Sequence, residues 1–389
     1  MRSISGVITL IISLALAIAS AGCAAGRPWQ GTVKVGLVLP FSGYDTATAY
    51  NALLAAKLAL QEWNARGGVA GYRVELVALD DENDTEVAAR RAKELAADPD
   101  IIGAIGHLST DAALGAIGEY RQAQMPLLTF ATGLEATRAG NLGIFRLAPD
   151  DERLADAALN ALSAKSPIGR MAIVDDGTRG HRALAAALAD EVSRRSGSTV
   201  VRESIEPAQR NFADIAERSR KLEAQALFFA GGFQQAAALY EQLRSQAPSV
   251  RFLASEDSDT PDFAKTGGTS LRGAMYLSAV PVPGLTNDAG SASRETAGFV
   301  GKYVSFAGMQ PLRHAPIVYD AVNILLLAAE RDALAGRKPT RQDVSSGIGQ
   351  VSFPGASGLV KPGEDGELIS FAPQVYTIDE SGYPGLSIR

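Results

Sequence analysis

Val33-Lys34-Val35-Gly36-Leu37-Val38 is a short β-rich run that stops just before Pro40. A helical stretch follows over 47–64, closed by Gly67-Gly68, and Tyr50, Leu53, Leu54, Leu58 and Leu60 give it an apolar side. The same unit recurs downstream. A strand over 72–79 precedes a helix over 85–95, a strand over 101–105 precedes a helix over 110–122, and 127–130 adds a further strand. Strands alternating with helices call for right-handed βαβ crossovers, and so for a parallel sheet with helices on both faces.

The alternation restarts after Asp150. Met171-Ala172-Ile173-Val174 is followed by a helix over 183–194, and a strand over 199–205 by a helix over 212–222. Ala226-Leu227-Phe228-Phe229 is followed by a helix over 234–245, and 251–254 forms another strand. With 389 residues the chain is long enough for two domains of ordinary size. The expected fold class is α/β, in two lobes of similar design. Open α/β sheets bind ligands beyond the carboxyl ends of their strands, so two facing lobes would form a ligand cleft there.

The N-terminus has a separate logic. Arg2 and an uncharged stretch over 7–18 lead into Ala19-Ser20-Ala21-Gly22-Cys23, the pattern of a secretory signal peptide. The stretch is shorter than the roughly 20 residues that span a bilayer, so it is expected to be removed. Cys23 is the only cysteine, which leaves an exported chain without an internal disulfide. The formal net charge is −6, and Arg2 is the only charge before Cys23, so cleavage leaves the remainder more negative. No basic stripe or lysine-rich run is present, which argues against a nucleic-acid partner. Ile324-Leu325-Leu326-Leu327-Ala328-Ala329 is too short to cross a membrane and is expected as the buried face of a helix.

Nothing in the chain demands catalysis. His107, His181 and His314 are widely separated, and no metal-spaced His/Cys cluster occurs. Neither a Gly-x-Ser-x-Gly elbow nor a Gly-x-x-x-x-Gly-Lys phosphate loop is present. Asp80-Asp81 and Asp175-Asp176 stand at strand ends, where capping and turn roles are ordinary. No enzyme, metal or cofactor is expected.

Two resemblances sharpen this reading. The segment ending in Cys23 resembles a bacterial lipobox, with Ser20 where that motif usually has leucine; it implies lipidation of Cys23. Val35-Gly36-Leu37-Val38-Leu39-Pro40-Phe41-Ser42-Gly43 resembles the opening of the leucine/isoleucine/valine-binding family. Glu62-Trp63-Asn64-Ala65-Arg66-Gly67-Gly68-Val69-Ala70-Gly71, Asp80-Asp81-Glu82-Asn83-Asp84 and Ile105-Gly106-His107-Leu108-Ser109-Thr110 continue the likeness. Phe229-Ala230-Gly231-Gly232-Phe233 and His314-Ala315-Pro316-Ile317-Val318-Tyr319-Asp320-Ala321 complete it. The family comprises periplasmic solute-binding proteins of ABC transporters. It implies two Rossmann-like lobes with parallel sheets, joined by a three-crossover hinge, closing on a ligand. The implied organisation is a signal peptide over 1–22, one lobe from 31–148 plus 282–370, and the other from 149–281 plus 371–389. A disulfide that members can carry maps onto Asn83 and Ser109, so it is absent as a unit.

The resemblance also implies a site. Ser109 and Thr110 lie between a strand and a helix, where a hydroxyl caps the helix and free N–H groups suit a carboxylate. In the family a hydroxyl at the position of Thr110 holds the ligand's α-carboxylate; capping alone is the other reading. Ala131, through its backbone, and Thr132, through its hydroxyl, match the second carboxylate loop, against ordinary turn chemistry. Glu256 follows a strand and matches the acid that receives the α-ammonium group; a solvated loop acid is its alternative. Phe233 replaces a family tyrosine. Arg179 stands where relatives have tyrosine, either to meet a second acid on the ligand or as a surface residue. Tyr50 is a candidate for the apolar side-chain pocket or for the core.

The resulting expectation is an exported lipoprotein, anchored to the cell envelope and facing the periplasm or exterior. It would bind a branched-chain or other apolar amino acid and serve an ABC transporter permease. Two alternatives stand beside it: an amide, urea-like or aromatic carboxylate ligand, and a ligand-sensing module for a membrane receptor.

Overall fold

The computed structural model describes residues 29–389 apart from 134, 136, 138–142, 207, 281–293, 335–336, 364–365, 370–371 and 389. The expected signal peptide and Cys23 lie outside the described residues.

The first lobe opens with β1 (Gly31–Leu39), α1 (Thr46–Ala65), β2 (Tyr72–Asp80), α2 (Thr85–Ala97), β3 (Ile101–Gly106), α3 (Thr110–Gln122), β4 (Leu127–Thr129) and β5 (Ile144–Arg146). Its sheet runs β2-β1-β3-β4-β5, all parallel. The second lobe follows with α4 (Asp151–Ser163), β6 (Arg170–Asp175), α5 (Arg179–Arg194), β7 (Ser198–Ser204), α6 (Ala213–Lys221), β8 (Ala226–Ala230), α7 (Phe233–Gln246), β9 (Arg251–Ala254), α8 (Pro261–Gly267) and β10 (Met275–Ser278). The chain then returns with α9 (Arg294–Ala307), α10 (His314–Leu334), α11 (Arg341–Ile348), β11 (Phe353–Pro354) and β12 (Leu359–Val360). It ends with β13 (Gln374–Asp379) and β14 (Gly382–Ile388). The second sheet runs β14-β13-β10-β9-β8-β6-β7. Its five central and distal strands are parallel, and β13 and β14 add an antiparallel edge.

Alternation along the strands builds both cores, because successive side chains point to opposite sheet faces. In β1, Val33, Val35, Leu37 and Leu39 pack with α1 and α10, whereas Val38 packs on the other face with α2 and α3. In β6, Ala172 and Val174 face the α6–α7 side, and Met171 and Ile173 face α4 and α5. Core membership also marks where the chain changes lobes. Leu147 belongs to the first lobe's core and Leu154 to the second's; Ala279 and Val280 divide the same way, as do Ile369 and Val375.

Several elements depart from the sequence reading. The apolar side of α1 is made mainly by Ala49, Ala52, Ala56 and Ala59 with Leu60 and Trp63, all buried, while Tyr50 is exposed. Alanines let α1 lie close to α10, and Trp63 Nε1 donates to Asn323 Oδ1 at 2.8 Å across that contact. The apolar run in α10 is buried as expected. Helix α5 starts at Arg179 rather than at 183, because the Thr178 side chain accepts from His181 N and caps it there. Strand β5, three residues long, is too short to show a period.

Candidate functional site

A cavity of about 140 Å³ lies between the lobes, beyond the carboxyl ends of both sheets. A cavity of roughly 150 Å³ admits a molecule such as benzene, so this one suits a ligand of single-amino-acid size.

One end is lined by a helix start and hydroxyl groups. Helix α3 begins at Thr110, and the first-turn N–H groups of a helix lack intrahelical partners. Ser109 Oγ accepts from Ala112 N at 3.2 Å, and Thr110 Oγ1 accepts from Gly133 N at 3.2 Å. Each hydroxyl oxygen is thus used by the backbone, which leaves each O–H free to donate. Both residues line the cavity, as does Thr132, whose side chain bonds the Asp151 carboxyl. The loop carrying Ser109 is held from behind. His107 Nδ1 lies 2.7 Å from Asp81 Oδ2, and its Nε2 lies 3.3 Å from the Tyr120 hydroxyl, all buried. This contact ties together the loops after β2 and β3.

The other end carries a shielded carboxyl group. Glu256 lines the cavity, and its Oε2 is shielded from solvent without a hydrogen-bond partner. Burial, reinforced by Asp257, pushes its carboxyl up to about 7. His314, also on the wall, has an unpartnered buried Nδ1 and packs edge-on against Phe130 at 5.0 Å. Burial and the neighbouring Arg313 hold its pKa well below the ordinary histidine value, so it is a neutral imidazole. Arg313 is committed elsewhere: its Nη1 lies 2.7 Å from Asp259 Oδ2 and donates to the Glu256 carbonyl at 2.8 Å.

A third group carries charge across the floor. His181 Nδ1 lies 2.9 Å from Asp176 Oδ1, and its Nε2 lies 3.2 Å from Asp257 Oδ2. Burial opposes its charge, but Asp257 and Asp176 raise its pKa well above the ordinary value. It is therefore an imidazolium between two carboxylates near neutral pH.

The lobes touch across the mouth. Arg179 Nη2 lies 2.5 Å from Glu135 Oε2, and Arg179 N donates to Asp111 Oδ2 at 3.0 Å. The Arg179 side chain is 60% exposed, so of its two readings the surface role is the one seen, as a bridge between lobes. Phe233 is buried in the second lobe and meets the ring of Tyr44, a cavity-wall residue, at 6.2 Å. It stands behind the wall.

Two candidates are placed away from the cavity. Tyr50 is 51% exposed and packs on Phe41, with ring centroids 5.3 Å apart. Asp45 and Thr48 turn toward the cavity, and at about 100° per residue Tyr50 points away from both. Neither the pocket nor the core reading of Tyr50 holds. Ala131 is fully buried in the α2–α3 core, and its N–H donates to Thr129 Oγ1 at 3.2 Å, so that donor is already used. The sequence reading did not single out Tyr44, Asp45, His181, Arg313 or His314 as site residues. Tyr44, Asp45 and His181 follow strand ends closely, a placement that could have flagged them; Arg313 and His314 reach the cavity only through the returning chain.

A family model described as periplasmic binding protein matches residues 32–378. An amino acid binding protein of Pseudomonas aeruginosa is 25% identical over 253 residues, covering 64% of this chain and 66% of that protein, just under two thirds. A Leu/Ile/Val-binding protein of Rhizobium johnstonii is 22% identical over 347 residues, covering 88% of this chain and 91% of that protein. Among solved structures, a leucine binding protein of Thermotoga maritima superposes with a TM-score of 0.80 at 22% identity, covering 92% of this chain and 99% of that chain.

Proposed function

Because the chain belongs to the periplasmic binding protein family, we propose that it captures a branched-chain or similarly apolar amino acid between its lobes and delivers it to the permease of an ABC importer. The observation that carries this reading is the pairing of a hydroxyl-lined helix start with Glu256, whose Oε2 is shielded from solvent without a partner, in one small cavity. A zwitterion answers both ends: its carboxylate meets Ser109, Thr110 and the first turn of α3, and its ammonium meets Glu256 and the His314 imidazole. Amino acid and Leu/Ile/Val binding by the relatives supports the same ligand class. The reading needs no chemical step, so the protein acts as a carrier and not as an enzyme. Export, with lipidation of Cys23 holding it at the cell envelope, completes the proposal. Among the described residues no helix is long and apolar enough to cross a membrane.

Thermal unfolding against a panel of amino acids, amides and aromatic acids tests this. A ligand at 100 times its dissociation constant adds about 2.7 kcal/mol of stability. Leucine, isoleucine or valine should stabilise the protein, and their decarboxylated amines should not. A response confined to amides or aromatic acids would replace the ligand class, and silence throughout would turn attention to a sensing role.

Closure has its own test. A Cβ on Gly180 of α5 would lie 3.1 Å from Thr110 Cβ in the other lobe. Gly180→Leu should therefore hold the lobes apart. Overpacking costs about 1–3 kcal/mol, which corresponds to a roughly 5- to 150-fold weaker dissociation constant by calorimetry. Unaltered affinity would show that capture does not require this approach.

A further inference from the structure

One wall of the cavity is polar. Tyr44, Asp45, Thr48 and Asn83 form it, from the turns after β1 and β2 and the first turn of α1. Asn83 donates through Nδ2 to the Tyr44 hydroxyl at 3.2 Å, while its Oδ1 is shielded from solvent without a partner. Asp45 occupies the position that caps α1, yet its side chain makes no capping bond and lines the cavity instead. The charged groups around it are Asp257 and His181 from the second lobe, Arg313 before α10, and Asp81 after β2. Arg313 is taken by Asp259, and His181 by Asp176 and Asp257. Among the described residues no cation on the cavity wall is left for Asp45. No group of three or more His, Cys, Asp or Glu among them is arranged to hold a metal ion either. An organic cation would answer the charged form of Asp45.

We propose that the cleft also takes amino acids with a cationic side chain, whose terminal nitrogen is received by Asp45 and Asn83. This rests on the reading of the cleft as an amino-acid site. The α-carboxylate and α-ammonium of any amino acid are answered by the start of α3 and by Glu256, so the Asp45 carboxylate is answered only by a further positive charge on the ligand. The same residue tolerates an apolar ligand by taking up a proton. Burial, then Asp257, pushes its carboxyl up to about 7, with Arg313 and His181 opposing and Asp81 reinforcing. A neutral acid faces an apolar side chain, and a carboxylate faces an ammonium group.

Calorimetry with L-ornithine and L-norvaline isolates the deciding atom, because ornithine is norvaline with a side-chain amino group added. Ornithine also matches leucine in its number of non-hydrogen atoms, so size does not confound the comparison. At about pH 8, ornithine should bind the wild-type protein at least as tightly as norvaline. Asp45→Asn should then raise the ratio of the ornithine to the norvaline dissociation constant by roughly 30-fold or more, the effect of removing one partner of a buried charge pair. Binding of norvaline or leucine with ornithine silent overturns the proposal and leaves the amino-acid reading standing; so does an unmoved ratio in Asp45→Asn. Silence of every amino acid overturns both. The wild-type comparison decides the matter even if Asp45→Asn fails to fold.

Discussion

Glu256→Gln is expected to weaken the binding of leucine, isoleucine or valine by roughly 30- to 5,000-fold, the range for losing one member of a buried hydrogen-bonded charge pair. The substitution keeps the shape and removes the charge. Glu256 Oε2 lines the cavity shielded from solvent and without a hydrogen-bond partner in the protein, so it is available to what enters the cavity. The same substitution should have the opposite sign on the stability of the empty protein. Burial, with Asp257, raises the carboxyl from 4.5 to about 7 on folding. A raised carboxyl contributes stability that is complete below the unfolded value and lost as pH climbs through the folded one. Asp45, raised to about 7, and Asp151, raised to about 6, act in the same direction from 3.8. The stability that these three carboxyls contribute should therefore be lost between about pH 4 and 7, with the neutral His314 acting in the opposite sense below about pH 6.5, and Glu256→Gln should lose less than the wild type. Thermal midpoints of both proteins at pH 5 and pH 8, with calorimetry at pH 8, check both signs. Unchanged affinity would remove Glu256 from the site, and equal pH slopes would show that water reaches it in the empty cleft.

Arg313→Ala is expected to cost about 3–5 kcal/mol of folding stability, the usual consequence of leaving a buried charge without its partner. Asp259 is 3% exposed. It accepts from the Ser278 hydroxyl at 2.5 Å and the Tyr383 hydroxyl at 2.9 Å, and Arg313 is its cation. Two hydroxyls do not compensate a buried carboxylate as a guanidinium does. Arg313 comes from the returning first-lobe chain, Asp259 belongs to the second lobe, and Ser278 ends β10 beside a crossing between lobes. The pair therefore links the returning chain to the second lobe as well as stabilising the core. Urea unfolding measures the loss, and Arg313→Met with Asp259→Asn should recover part of it by removing both charges. A single variant within about 1 kcal/mol of wild type would mean that solvent relaxes around Asp259.

Much of the architecture was legible before any coordinates. Runs such as Val33–Val38 and Ala226–Phe229 are too apolar and too short for anything but buried parallel strands, and the helices between them showed their period. The helix start at Ser109 and Thr110 was legible for the same local reason: a hydroxyl after a buried strand has one common structural use. Glu256 was placed near a strand end, where the cleft lies in facing α/β lobes.

The side of α1 was legible in part: Leu58 and Leu60 are buried and Leu53 and Leu54 pack against the cores, but Tyr50 is exposed. Large side chains drew attention to Tyr50, whereas the buried stripe is made mainly of alanines, whose small size matters only once α10 is packed against it. Ala131 failed for a related reason: a backbone N–H is free or used according to whether Thr129 reaches it, and that depends on tertiary placement. The returning segment is harder still. Arg313 and His314 lie far along the chain from Glu256 and Asp45, and no local pattern announces that they share a cavity.

By itself the sequence determined the strand and helix alternation, the two α/β lobes, the hydroxyl-bearing helix start at Ser109 and Thr110 and the position of Glu256 just past a strand end, because each depends on neighbours within a turn or a strand. Only the tertiary structure decided which polar groups are left over. Asp259 takes Arg313, Asp176 and Asp257 share His181, and Glu256, Asn83 and His314 each keep an unpartnered atom in the cavity. The physical reason is that partnership between charges is set by distance in the folded chain, and chain order carries no information about that distance.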